Sequence, residues 1–338
     1  MTRQGAYRHV RRLVDDGLLT ARGHTRAREY ALAVRVDTAL ALPVDAGVEE
    51  DVVWREAVLP ELGVLGDNSR HILQYGFTEI LNNAVVHSEG HAILVHVRRT
   101  AIEVEIEVRD DGVGIFRKLQ RDLGLDDERH AILELSKGKL TTDPSRHTGE
   151  GIFFTSRALD YFSIASLDLV LVHEAVRGDW LIDAMSFGPG TSVSMKIDTE
   201  TDRTLKEVFD RFASGEEEFG FTRTRVPVLL AKYRDENLVS RSQARRLLAR
   251  FERFREVILD FDGVQSIGQA FADEIFRVFA AEHPEVRLRW TRTGVEVEAM
   301  IRRVRGGDRV ADENQLRLFG LHNPVEPDHE HVGERRGR

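Results

Sequence analysis

The sequence predicts a multidomain protein of mixed α+β and α/β class. Three observations carry this. The chain has 338 residues, more than one average domain, so two or three separate cores are expected. Strand-like alternation and helical spacing interleave through residues 36–200. A shorter strand–helix alternation then occupies 224–305, behind an acidic stretch. With 41% hydrophobic and 31% charged residues, the chain is too apolar to be mainly disordered. No apolar run approaches the ~20 residues of a spanning helix. Met1-Thr2-Arg3-Gln4 has no apolar stretch behind its charges, which argues against a secretory signal. The absence of cysteine excludes disulfides, thiolate zinc sites, iron–sulfur clusters and a Cys nucleophile. A soluble cytoplasmic protein with no membrane partner is expected.

Net charge is −9, but it is unevenly spread. Residues 1–35 carry eight arginines against Asp15, Asp16 and Glu29, a net of +5, which leaves −14 on the remainder. Any contact with a polyanion is therefore expected at this basic head. Thr2 is placed to cap a helix through Asp16, with Tyr7, Val10, Leu13 and Val14 at helical spacing and Gly17 as its stop. Two short strands, 18–21 and 29–32, flank the basic turn Arg22-Gly23-His24-Thr25-Arg26. The run "TRQGAYRHVRRLVDDGLLTARGHTRAREYAL" resembles the recognition helix and wing of a winged helix-turn-helix domain. The one or two helices that precede the recognition helix in that fold are not in the sequence. The resemblance implies DNA contact through Arg3, Arg8, Arg11, Arg12, Arg26 and Arg28. A solvated helix–hairpin used for packing or dimerisation is the alternative.

Residues 36–200 are expected to form an α+β sandwich, with a mixed sheet and helices on one face. Ser69–His87 has helical spacing, and 92–98 and 101–109 read as a hairpin around Arg99-Thr100. A long polar stretch, 117–147, precedes an amphipathic helix from Gly151 to about Tyr161. Strands follow near 162–173, 180–187 and 191–197.

Three segments here point to one chemistry. Glu79, Asn83 and His87 are four apart and share a helix face. The amide oxygen of Asn83 suits Mg²⁺, and Glu79 could polarise a water towards a phosphate. Asn82 is read as a register neighbour rather than a ligand. Asp110-Asp111-Gly112-Val113-Gly114-Ile115 follows a strand. Its first carboxylate can accept a hydrogen bond from an exocyclic amine, and its glycines let backbone approach a flat ring. Gly149-Glu150-Gly151 opens a helix, where free N–H groups form a natural phosphate site. In this order and spacing the three segments resemble the N box, adenine box and lid-closing glycine box of the GHKL superfamily (gyrase, the heat-shock chaperone, histidine kinases and MutL), over roughly residues 45–198. The resemblance implies that Asp110 reads the adenine amine, Asn83 holds Mg²⁺ and Glu79 is the catalytic carboxylate. It also implies that Gly112 and Gly114 line the adenine pocket, Gly149 and Gly151 contact phosphates, and 116–148 form an ATP lid. Thr191, in Gly190-Thr191-Ser192-Val193, would stand near the adenine. Lys137 and Lys139 in the lid are candidates for the γ-phosphate, with a solvated loop as the alternative. His87 either touches the nucleotide or packs the helix.

Residues 201–223 read as a connector helix and linker, with the acidic run Gly215-Glu216-Glu217-Glu218. Residues 224–305 read βαβαβα. Val257-Ile258-Leu259-Asp260-Phe261, "SIGQAFADEIFRVF" and "MIRRV" resemble the sulfate-transporter and anti-sigma-antagonist (STAS) fold, within a branch of undefined function. In the anti-sigma antagonists an Asp-Ser pair opens the first of these helices and the Ser is phosphorylated. Gly268 and Gln269 stand there in this chain, with no hydroxyl to accept phosphate, and Ser266 lies on the loop side. From Gly306 the periodicity ends. A mobile tail is expected, and His322, His329 and His331 in it have no rigid ligand spacing.

The layout leads to an ATP- and Mg²⁺-binding regulatory switch whose nucleotide state controls the engagement of DNA by the head or of a protein partner by the STAS-like domain. Two alternatives come from enzyme classes. One is a serine/threonine kinase of anti-sigma-factor type, favoured by the Asn83-Ala84-x-x-His87 run. The other is a slow ATPase whose output is an ATP-promoted homodimer. A two-component sensor kinase is disfavoured, because 36–68 contains no phosphoacceptor His.

Overall fold

The structure, a computed structural model, describes residues 2–24, 27–45, 47–140, 149–183, 187–213, 220–232 and 236–306. The chain is a mixed α/β multidomain protein built around one large antiparallel sheet and a smaller parallel one. The expected tail beyond Gly306, with its three histidines, lies outside the described residues.

At the head, α1 (Arg3–Asp15) is capped by Thr2, whose Oγ1 accepts from Gly5 N–H at 3.2 Å. Strands β1 (Leu19–Arg22) and β2 (Glu29–Leu32) form a hairpin behind it. Tyr7, Val10, Leu13 and Val14 are only half-buried or exposed, and the first fully buried apolar residue among those described is Trp54. The head therefore brings little core of its own.

Next come β3 (Val36–Pro43), α2 (Glu50–Val53), a π turn at Trp54–Val58, α3 (Leu59–Leu62) and α4 (Asp67–His87). They are followed by β4 (Ala92–Arg99), β5 (Glu103–Asp110), α5 (Ile115–Leu123), α6 (Glu128–Lys137) and α7 (Gly151–Ala158). β6 (Tyr161–Ser166), β7 (Leu169–Glu174), β8 (Gly178–Asp183) and β9 (Thr191–Asp198) complete a sheet of order β3-β4-β5-β9-β6-β7-β8. The sheet is not mixed as expected: every pairing is antiparallel. For the hairpin pairs the cause is connection length, since links of a few residues between β4 and β5 or β6 and β7 cannot make a parallel crossover. The expected strand over 162–173 is such a hairpin, turning at Leu167 (φ 57°) between Ser166 and Asp168. One sheet face, with Val95, Ile106, Met195 and Ile164, packs against Leu73, Phe77, Ile80 and Leu81 of α4.

The connector 201–223 contains α8 (Leu205–Arg211), closed by a capping box between Thr204 and Glu207. Its described part is packed rather than free. Phe221 stacks on Phe153 of α7 (4.5 Å between ring centroids) and meets Phe154 (5.1 Å), Phe212 (6.1 Å) and Phe254 (5.3 Å). Beyond it, β10 (Arg223–Pro227), a 3₁₀ turn at Val228–Ala231, α9 (Arg241–Leu248) and β11 (Glu256–Asp260) begin the C-terminal domain. α10 (Gln269–Asp273), a π turn at Glu274–Phe279, α11 (Ala280–Glu282), β12 (Arg287–Thr291) and α12 (Val295–Val304) complete it. Its three strands are parallel in the order β10-β11-β12, as helical crossovers require. The buried residues of both domains form one continuous core.

Phe221 sits at the junction of these cores. Phe221→Ala is expected to destabilise the protein by about 3–5 kcal/mol in denaturant unfolding. A change within experimental error would show that the aromatic junction contributes no stability.

Candidate functional site

The site is assembled from three elements whose relative positions follow from strand register. The β5–β9 ladder pairs Arg109 with Ser192 and Val108 with Val193, so Asp110 at the end of β5 falls beside Thr191 at the start of β9. Gly112 N–H and Thr191 N–H donate to Asp110 Oδ1 at 2.9 and 3.2 Å. The Thr191 side chain also hydrogen-bonds the carboxylate, while its Oγ1 accepts from Ile115 N–H at 3.0 Å. Asp110 is only 6% exposed. Burial pushes its carboxyl above the usual range, although these hydrogen bonds and those from Gly112 pull the other way.

α4 forms the opposite wall. Glu79, Asn83 and His87 lie along one of its faces and all three line a cavity of 340 Å³. Asn82, read as a register neighbour, lines it too. The third element is α7, whose first residue, Gly151, borders the cavity together with Gly149. A β-carbon at Gly151 would meet the Glu79 carboxylate, so any side chain there would make Glu79 shift. α7 is anchored at its far end by Arg157, which donates to Asp179 Oδ1 and Oδ2 at 2.5 and 2.6 Å. The cavity thus brings together Glu79, Asn83, His87, Asp110, Gly114, Gly149, Gly151 and Thr191.

Other expected site residues stand elsewhere. Gly112 does not line the cavity. It packs against the Ser88 carbonyl, which a β-carbon at 112 would strike and which accepts Val113 N–H at 3.0 Å. Its glycine locks the Asp110 loop onto the end of α4. Lys137 and Lys139 do not reach the cavity as phosphate ligands. Lys137 is 1% exposed, and its Nζ donates to Glu134 Oε1 (2.5 Å), Ala249 O (2.9 Å) and Arg246 O (3.3 Å). Lys139 Nζ donates to Arg253 O at 3.1 Å and lies over the Phe254 ring. The Lys137 ammonium is shared between Glu134 and the C-terminal domain, and that of Lys139 is taken up by the C-terminal domain. In the expected lid, 116–140 forms α5 and α6, and 141–148 lie outside the described residues.

Lys118 is the cation that sequence reasoning missed. It lines the cavity on α5, one turn beyond Gly114, with Nζ held by Glu89 (2.8 Å) and Asp122 (3.1 Å). Burial works against its charge, but these two carboxylates outweigh it and hold the ammonium above its ordinary value. The signal available was its helical spacing from Gly114. Between Gly149 and Gly151, burial pushes the Glu150 carboxyl up. Burial, with Glu79 and Glu150 nearby, likewise raises the Tyr75 hydroxyl. Lys118 and His87 share the cavity lining with the Glu79 and Asp110 carboxylates.

Among the described residues no group of three His, Cys, Asp or Glu side chains could hold a metal ion unaided. The donor set still fits Mg²⁺, which commonly takes one or two protein oxygens and completes its shell with water and phosphate. Here those oxygens would be the Asn83 amide and the neighbouring Glu79 carboxylate.

On the exposed head, Arg8, Arg11 and Arg12 project from α1, with Arg11–Asp15 and Arg12–Asp16 at 3.9 and 3.6 Å. Arg28 lies over the Tyr30 ring, and the Arg3 side chain and Arg26 fall outside the described residues. In the C-terminal domain Gly268 caps α10 and Gln269 is its first residue, so that helix opens without a hydroxyl.

A family model decides the last of these domains. Residues 243–298 match a STAS-like domain of unknown function (DUF4325). This STAS-like segment runs from α9 into α12 and includes β11 and β12 of the parallel sheet. No curated protein matches the chain. Among the described residues no helix is long and apolar enough to cross a membrane.

The raised Asp110 carboxyl has a consequence for stability. A folded-state value above the ordinary 3.8 means that its contribution is fully present below that pH and is lost as pH rises through the folded value. At neutral pH the buried charge is a cost. Asp110→Asn keeps an acceptor for the two amides and removes the charge, so its Tm at pH 7 is expected to equal or exceed that of the parent, with any gain vanishing below about pH 4. A fall of several degrees at pH 7 would contradict this.

Proposed function

We propose that this chain is a regulatory switch that binds ATP with Mg²⁺ and relays nucleotide occupancy to its STAS-like domain and basic head. The observation that carries the reading is the convergence of an adenine-type anchor, a helix face bearing Glu79, Asn83 and His87, and the Gly149–Gly151 helix start on one cavity. The GHKL resemblance of these three segments supports the same reading, and a nucleotide-sized cavity with few, convergent polar groups is what such a ligand needs.

Asp110, with Oδ1 occupied by two backbone amides, would offer its remaining acceptor capacity to an exocyclic amine. Ile80, Val108 and Val193 line the cavity beside it and would flank the flat ring. Gly149 and Gly151, at the start of α7, would face the phosphates. The Glu79 and Glu150 carboxylates would repel a bare triphosphate, and the chemistry a bound Mg²⁺ supplies is neutralisation of that charge. Asn83 would hold the ion. The contact of Glu79 with the start of α7 favours a second reading, slow hydrolysis, in which that carboxylate polarises a water.

DNA engagement by the arginines of α1, and of a protein partner by the STAS-like domain, are the outputs this switch would control. They rest on the exposed basic helix and on the domain layout.

Calorimetric titration of Mg²⁺–ATP, with phosphate release followed in the same samples, tests the reading. The parent protein is expected to bind, and Asp110→Asn to lose at least tenfold in affinity, or about 1.4 kcal/mol, while staying folded. Phosphate release that disappears in Glu79→Ala would favour hydrolysis. Equal affinity in parent and Asp110→Asn would refute the adenine role.

A further inference from the structure

Leu135, Leu140 and Phe153 form one side of the cavity. Each adjoins a contact with the C-terminal half of the chain. Two residues after Leu135, the Lys137 ammonium enters α9 and donates to the carbonyls of Arg246 and Ala249. The Lys137 carbonyl accepts from Thr224 Oγ1 of β10 at 2.7 Å. Beside Leu140, Lys139 and Arg253 bond reciprocally: Lys139 Nζ donates to Arg253 O, and Arg253 Nη1 donates to Lys139 O at 3.3 Å. The ring of Phe153 stacks on Phe221, which in turn meets Phe254. Leu140 N–H also donates to Gly149 O at 3.0 Å, tying this wall to the start of α7.

The chemistry of the tie is unusual for a packing contact. Glu134 is 2% exposed and faces Lys137, Arg250 (3.5 Å) and His130 (3.6 Å). Burial alone would raise its carboxyl, but the contact with His130 and the charges of Lys137 and Arg250 hold it below the ordinary range, and burial pulls Lys137 down. A buried ion pair gives little net stability over well-packed apolar residues. What it does impose is a single geometry, because displacement of either side strands a buried charge. If the end of α9 shifts, Lys137 loses two of its three acceptors, so the cavity wall must follow.

We propose that Lys137 and Lys139 are positioning residues that fasten the cavity wall to the STAS-like domain, so that nucleotide occupancy and the docking of that domain form one linked equilibrium. The linkage to nucleotide rests on the reading of the cavity given above. The tie itself does not. By reciprocity, nucleotide must protect the α9 side to the extent that α9 docking favours nucleotide.

Hydrogen exchange and nucleotide titration on the full chain test this. Thr224→Val removes one bond to the wall with little change of shape, and Arg253→Ala removes another; neither residue lines the cavity. Lys137→Met is the stronger variant if it folds. In the parent, saturating Mg²⁺–ATP is expected to slow exchange of amides 246–254. In Thr224→Val and Arg253→Ala, exchange of 135–140 and 149–153 should rise severalfold while β4 and β5 stay protected, and Mg²⁺–ATP affinity should fall about fivefold. Unchanged exchange in 135–140 and 149–153 would overturn the tie. Faster wall exchange with unchanged affinity would overturn the linkage. Should the parent bind no nucleotide, the functional reading and the linkage both fail, and wall exchange in the variants still decides the tie.

Discussion

A lysine ammonium buried in an interface is the constraint on which the arrangement of this molecule depends. Lys137 is the last residue of α6, and its three acceptors come from α6 itself and from the end of α9. Moving such a charge from water is costly unless every donor is met. The α6–α9 geometry is therefore fixed more narrowly than apolar packing alone would fix it. Around this knot lie the Thr224 hydrogen bond, the Lys139–Arg253 exchange and the phenylalanine junction centred on Phe221. The large antiparallel sheet and the small parallel one are separate topologies sharing one core.

The candidate site inherits its geometry from that frame and from strand register. Asp110 and Thr191 are neighbours because β5 and β9 are antiparallel partners in one specific alignment. A one-residue slip would turn Asp110 to the other face. The glycines of the motifs have structural work as well as any ligand role. Gly112 admits the Ser88 carbonyl, and Gly151 admits the Glu79 carboxylate. Burial raises the Asp110 carboxyl, an energetic cost that packing does not need and that recognition of a ligand donor would explain.

Much of this was legible in the sequence where the signal was local. The face of Glu79, Asn83 and His87 follows from a spacing of four, and the strand that ends in the Asp110 loop follows from alternation giving way to glycine, whereas the helices α5 and α6 were read as a polar stretch. Features set by distant partners were not legible. Ser136-Lys137-Gly138-Lys139 reads as a polar loop, because nothing within ten residues shows that α9 carbonyls will receive the ammonium. The β6–β7 hairpin was missed because its loop is only two residues, Leu167 and Asp168, between two strand-like segments. The π turns at Trp54–Val58 and Glu274–Phe279 leave no mark in residue spacing. Lys118 was overlooked because its value comes from the cavity it enters, not from a motif.

The central claim is that cavity and STAS-like domain behave as one unit. Differential scanning calorimetry of the full chain, with and without saturating Mg²⁺–ATP, tests it most directly. A single transition that moves as a whole to higher temperature with nucleotide is the predicted result. Two resolved transitions, with nucleotide raising only one of them, would contradict the account.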